Sequence, residues 1–152
     1  MYNIHCCPSL LKEGYNTYSP TALHHLFDGK KVTPYLDFAT EDEEDLAAIS
    51  ESMDVLSISG AQEKYAACIK TNKISLSTEG DLTTHIIKPA PLAKIKHRKQ
   101  IPANEHLTMQ IAKQVYGIDT ADNGLCFSSD DQVVYITKRY DVQANGTKLR
   151  QE

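Results

Sequence analysis

Residues 65–88, YAACIKTNKISLSTEGDLTTHIIK, decide the fold class. Three short runs rich in strand-forming residues, Tyr65 to Ile69, Lys73 to Ser77 and Thr84 to Lys88, are separated by turn signals at Thr71-Asn72 and Glu79-Gly80-Asp81. Runs this short with breaks this close pair with one another, which predicts a meander of antiparallel strands. Downstream, Pro102 and Asn104 open a helix in which Leu107, Ile111, Ala112 and Val115 share one apolar face, and Gly117 supplies its stop. Leu125 to Phe127 and Val133 to Tyr140 read as two further strands joined by the turn Ser128-Ser129-Asp130-Asp131. Strands, one long helix, then strands predict an α+β fold, a small antiparallel β-sheet with the helix packed on one of its faces.

Before residue 55 the pattern differs. Residues 1 to 18 show little periodicity, and Ser19-Pro20 then provides an N-cap followed by proline at N1 for a short helix, TALHHLF, that Gly29 ends. Lys30 to Phe38 reads as a loop or a short extended piece. Thr40 and Glu43 have the spacing of a capping box, and the acidic run Glu41 to Asp45 suits the positive end of a helix dipole, so a second helix is expected from about 41 to 52. The expected organisation is therefore a leader with two short helices over 1–54 and a sheet-bearing unit over 55–152.

Composition narrows the function classes. The 152 residues are 41% hydrophobic and 24% charged, with 16 Lys+Arg against 20 Asp+Glu. That balance excludes wholesale disorder, collagen and coiled-coil classes. No window approaches the roughly 18 uninterrupted apolar residues of a membrane-spanning helix. The opening MYNIHCCPSLLKEG lacks the basic and long apolar regions of a secretory signal, so a cytoplasmic location is expected. A formal net charge of −4 gives no overall attraction to nucleic acid. Four cysteines, Cys6, Cys7, Cys68 and Cys126, are too few and too irregular for a disulfide framework. Cys68 and Cys126 read as small core residues of strands. His5, Cys6 and Cys7 near His24 and His25 do not have the four-ligand spacing of a zinc site.

Three elements could carry chemistry. The stretch Ser57-Ile58-Ser59-Gly60-Ala61-Gln62-Glu63-Lys64 is a hydroxyl-rich turn leading into a strand, a composition that suits either an ordinary hairpin turn or backbone amides laid against phosphate oxygens. Lys88 ends an apolar strand just before Pro89, where it either snorkels or places its ammonium in a cleft. Glu105 lies near the start of the long helix and is either a dipole-matched carboxylate or a partner for a cation. Their order, a phosphate-loop-like turn, a strand lysine, a helix glutamate and a further extended segment, is the order of parts in the N-lobe of a protein kinase. The basic stretch Lys94 to Lys99 reads as a solvated loop or a phosphate contact.

SISGAQEK followed by THIIKP, NEH at the helix start and ITKRYD in the last strand closely resemble the HipA and HipT kinases of bacterial toxin–antitoxin modules, over roughly Ser57 to Asp141. GYNTYSPTALHHLFDGKKVTPYLDF resembles the short leader of the HipT type. The resemblance implies a serine/threonine kinase N-lobe binding ATP, with Mg2+ joining only when a C-lobe is present. Ser57, Ser59, Gly60, Ala61, Gln62 and Lys64 would cover the phosphates, and Ser57 and Ser59 match serines that the family autophosphorylates. Lys88 matches the lysine on the ATP phosphates, Glu105 the helix glutamate, and Lys138, Arg139 and Tyr140 the hinge at the adenine. Lys138 stands where HipA has a glutamate, leaving adenine to backbone atoms. The partners implied are a helix-turn-helix antitoxin, a third small HipS-like protein, and an aminoacyl-tRNA synthetase as substrate of the full-length kinase. The catalytic aspartate and Mg2+-binding residues of the family's C-lobe do not follow Asp141, and Asp37-Phe38-Ala39 precedes the phosphate loop, the wrong order for a metal-binding motif. The expectation is therefore an N-lobe inactive alone; the alternative is a stand-alone, non-catalytic module that binds and regulates such a kinase or its antitoxin.

Overall fold

The computed structural model describes residues 3–41, 63–92, 95–142 and 147. The element order is α1 (Pro20–Phe27), β1 (Tyr65–Lys70), β2 (Lys73–Leu76), β3 (His85–Lys88), a single 3-10 turn (Arg98–Gln100) continuing into α2 (Ile101–Gln114), β4 (Asn123–Phe127) and β5 (Val133–Lys138). The fold is α+β, as expected. The helix expected near 41–52 and most of the Ser57–Lys64 turn lie outside the described residues.

All five strands pair antiparallel, in the order β2-β1-β3-β5-β4. This corrects the meander: β3 lies beside β1, not β2, and β5 is inserted between β3 and β4. Burial explains the order. Tyr65 to Cys68 of β1 are all buried, whereas β2 has four residues of which only Ile74 is buried. Of these two, the strand buried along most of its length lies inside the sheet and the short half-exposed one at its edge, whereas β4, equally buried, can lie at the other edge because the leader covers it. The β1–β2 turn places both Thr71 (φ 46) and Asn72 (φ 65) in the left-handed region, the twist that a two-residue hairpin loop needs. The last strand stops at Lys138 rather than Tyr140, although the Arg139 N–H still follows the β3 register to Thr84 O at 2.9 Å.

Alternation along the strands gives the sheet two faces. One carries Tyr65, Ala67, Ile74, Ile87, Cys126, Val134 and Ile136, packed in a single core with Cys7, Tyr18, Ala22, Leu26, Phe27, Val32 and Leu36 of the leader. Helix α1 is set there by local chemistry: the Ser19 Oγ accepts the Ala22 N–H at 3.2 Å, Pro20 follows, and Asp28 (φ 54) and Gly29 (φ 78) turn the chain out. Its last carbonyls are taken by the sheet, Leu26 O by His85 Nε2–H at 2.8 Å and His25 O by Lys138 Nζ at 3.3 Å. The leader also seals the β4 edge. Leu36 N–H donates to Phe127 O and Phe127 N–H to Pro34 O, both at 2.8 Å, and Leu125 N–H donates to Pro8 O at 2.9 Å. The Lys30–Phe38 piece is thus extended where it pairs, at the Tyr35–Phe127 parallel bridge. Gly124 permits this approach, since a Cβ there would stand 3.1 Å from Leu26 Cδ2.

Helix α2 packs on β4 and β5 on the other face, but not by the apolar stripe read from the sequence. Leu107, Ile111 and Val115 are 48%, 42% and 71% exposed. The helix instead buries Pro102, His106 and Gln110. The physical reason is a matching polar residue on the sheet, Asn123. The Gly117 stop is as expected: Gly117 has φ 65 and the Ile118 N–H donates back to Ala112 O at 3.0 Å. Cys68 and Cys126 are buried in strands, and all four cysteines are free. Among the described residues no helix is long and apolar enough to cross a membrane.

Candidate functional site: a lysine–glutamate pair between sheet and helix

Lys88 is the last residue of β3, fixed in register opposite Tyr135 of β5. Pro89 ends the ladder there, so the lysine side chain leaves the sheet at its margin on the α2 face. Glu105 lies in the second turn of α2, on the side facing the sheet. Lys88 Nζ donates to Glu105 Oε1 at 2.5 Å, and the ammonium also stands 5.3 Å from the centroid of the Tyr135 ring. Both side chains are mostly buried. Burial, and then the nearby Glu105 charge, push the Tyr135 phenol up to about 12, so it is a neutral donor at physiological pH.

A partly buried ammonium clamped by one carboxylate and an aromatic face has two donor hydrogens to offer a further anion. The carboxylate fixes its direction, which lowers the ordering cost when a ligand oxygen arrives. In chemical terms this is a positioned point charge suited to phosphate oxygens.

The remaining candidate residues are distributed differently. Lys64 is half-buried just ahead of β1; Ser57, Ser59, Gly60, Ala61 and Gln62 lie outside the described residues. Lys138 is opposite His85, so it projects from the other sheet face, where its Nζ pairs with Asp28 Oδ1 at 2.6 Å. Its N–H donates to Asp122 O at 2.8 Å. Arg139 is engaged bidentately by Asp141, Nε to Oδ1 at 2.9 Å and Nη2 to Oδ2 at 2.5 Å, which raises its pKa further. Tyr140 is exposed, and its N–H has no partner among the described residues. Arg139 and Tyr140 help to line a cleft of about 810 Å³ together with Met109 of α2 and Asp119 to Asp122.

A family model, the HipA-like C-terminal domain, matches residues 56–152. The chain belongs to the HipA-like family. The match takes in β1 to β5 and α2, and with them both members of the Lys88–Glu105 pair. No curated protein matches the chain.

Three residues around the pair escape a reading of sequence: Tyr135, His106 and Asn123. Tyr135 lies in an apolar strand and its alignment with Lys88 depends on register. Asn123 lies two residues ahead of the strand expected from Leu125, yet it is the buried first residue of β4. The one available signal is its position immediately before Gly124 in a strand.

Proposed function

We propose that this HipA-like chain is the N-terminal, ATP-binding lobe of a HipA/HipT-like serine/threonine kinase toxin of a toxin–antitoxin system. The observation that carries the reading is the Lys88–Glu105 contact of 2.5 Å, which spans the strand and helix whose motifs resemble the family. In kinases such a pair must be in place for phosphoryl transfer, because the protein's contribution is positioning and charge. Lys88 would hold the phosphates, with Ser57, Ser59, Gly60, Ala61, Gln62 and Lys64 covering them. The Tyr140 N–H, with the ring beside it, is the hinge group best placed for adenine, since the N–H groups of Lys138 and Arg139 are already spent. Phosphate on Ser57 or Ser59 would bring like charge against the nucleotide and expel the loop. Among the described residues no three His, Cys, Asp or Glu side chains gather to hold a metal ion, and Mg2+ is assigned no ligand among them. The resemblance extends the proposal to a helix-turn-helix antitoxin and a HipS-like protein as partners, and to an aminoacyl-tRNA synthetase as the target of the whole kinase.

A second reading, a non-catalytic interaction module, draws support from the exposed apolar residues of α2. Nucleotide titration separates the two. A fluorescent ATP analogue should bind saturably, and Lys88→Met should weaken it about ten- to hundredfold, the worth of one charge-assisted contact. Absence of binding by the unaltered chain favours the interaction module. With ATP and a protein substrate the chain alone should transfer no phosphate; Lys88-dependent transfer would overturn its expected inactivity.

A further inference from the structure

Besides the buried Pro102, helix α2 meets the sheet through directional hydrogen bonds. Asn123 Oδ1 accepts from His106 Nδ1 at 2.8 Å and from Gln110 Nε2 at 2.9 Å. Asn123 is held in turn: its Nδ2 donates to Ala121 O at 2.8 Å, and its main-chain oxygen accepts from Ser9 Oγ at 2.7 Å. Gln110 Oε1 accepts from Gln114 Nε2 at 2.7 Å, and Gln114 reaches Leu10 O at 3.2 Å. An amide oxygen only accepts, so the His106 proton is on Nδ1 and its Nε2 is a bare acceptor. That Nε2 is buried and has no partner among the described residues.

Apolar seats tolerate rotation and sliding, because dispersion contacts are non-directional. A fork of two hydrogen bonds converging on one oxygen does not, since each weakens steeply away from linearity. His106 and Gln110 are one turn apart, and Glu105 is the immediate neighbour of His106. Rotating α2 about its axis by one residue, 100°, would replace His106 at the sheet with a neighbour and carry Glu105 away from Lys88. We propose that Asn123 is the positioning residue of this site: through His106 and Gln110 it fixes the rotation and axial register of α2, and thereby sets Glu105 on Lys88. The leader stands at the far end of the same network through Ser9 and Leu10, so displacing the leader loosens the seat of α2.

This inference rests on the nucleotide-site reading only for its consequence, not for its geometry, and the test keeps the two apart. Three full-length variants are compared by NMR and by binding of a fluorescent ATP analogue. Asn123→Leu removes the acceptor. Gln110→Met removes one arm of the fork at equal volume, leaving Asn123 still paired. His106→Asn keeps a donor at the Nδ1 position and deletes the orphaned Nε2. Cross-peaks between the Lys88 and Glu105 side chains should vanish in Asn123→Leu and weaken in Gln110→Met, with analogue affinity falling about tenfold or more. His106→Asn should keep the cross-peaks and stay within about twofold in affinity. Unchanged cross-peaks in a folded Asn123→Leu, or in Gln110→Met if the former does not fold, overturn the proposal, as does equal loss in all three. Should the unaltered chain bind no nucleotide, the cross-peaks alone still decide the positioning role, and only the function falls.

Discussion

On the leader face of the sheet, Ala67, Ile87, Val134 and Ile136 meet Leu26, Phe27 and Tyr18 as apolar surfaces. On the opposite face, Asn123 meets His106 and Gln110 through two hydrogen bonds to one oxygen. The first arrangement buries area and supplies stability. The second supplies direction at modest net energy, since each such bond contributes about 0.5–1.5 kcal/mol once water is counted. The Lys88–Glu105 pair lies on the second face, where orientation matters more than depth of burial. Substitutions on the two faces should therefore separate stability from nucleotide affinity.

The largest effect is expected on the leader face. Leu26 is fully buried between α1 and the sheet, its side chain against Gly124. Leu26→Ala should cost about 2–5 kcal/mol of unfolding free energy, the range for a buried leucine whose cavity cannot collapse. Denaturant unfolding measures it, with the slope checked for constancy. A cost under about 1 kcal/mol would mean that the leader contributes little to the core and that the contrast between faces is misdrawn.

Much of this division was legible in the sequence, and the failures have physical reasons. Ser19-Pro20, Thr71-Asn72 and Gly117 were readable because caps and turns are decided within a few residues. The five strands were readable for the same reason, from local composition. Strand order was not, because it depends on which strands are buried on both sides. The buried side of α2 is not legible: Leu107, Ile111 and Val115 have the period of a core stripe, and only the partner Asn123, distant in sequence, shows that His106 and Gln110 face inward. Lys88 and Glu105 were legible as a pair through their order and resemblance, but Tyr135, the third member, depends on register.

A smaller effect concerns acid, and each face contributes one buried histidine. His85 donates to Leu26 O and accepts from Thr84 Oγ1 at 2.7 Å on the leader face; His106 sits on the other. Burial lowers the pKa of both, against the hydrogen bonds to Leu26 and Asn123 that favour the charged form. A folded-state pKa below the unfolded value of about 6.5 means that the unfolded chain binds more protons between the two. Stability from these groups is thus fully present above about pH 6.5 and is lost as pH falls toward their folded values. The lowered carboxyls act only further down: Asp81, held at about 2 by Lys70 and Thr78, and Asp130, where burial is outweighed by hydrogen bonds from Ser128, Thr40 and Glu41. Urea unfolding at pH 7.5 and pH 5.5 should show a loss at the lower value. His106→Asn should flatten part of that slope and leave the part due to His85. A profile level across this window would place both rings in contact with solvent.

The smallest effect is expected where the sequence pattern promised a core. Exposed along α2 and the turn that follows it are Asn104, Leu107, Thr108, Ile111, Gln114, Val115 and Tyr116, with no charged residue among them, although 24% of the chain is charged. Lys113 and Glu105 on the same helix are paired with Asp122 and Lys88. If the seat of α2 is polar, the outward stripe contributes little to this chain's own stability. Leu107→Gln and Ile111→Gln, in a residue that forms helix as well as the original, should each change unfolding free energy by no more than about 0.5 kcal/mol. A loss above about 1 kcal/mol in monomeric protein would show the stripe packed inward and return α2 to the orientation the sequence alone suggests. Neutral outcomes for both, set beside a costly Leu26→Ala, would leave the apolar character of the stripe without any role in folding. Its exposure would then have to be explained by contact with another surface, since isolated exposed leucines need no explanation but an apolar row over about two turns does.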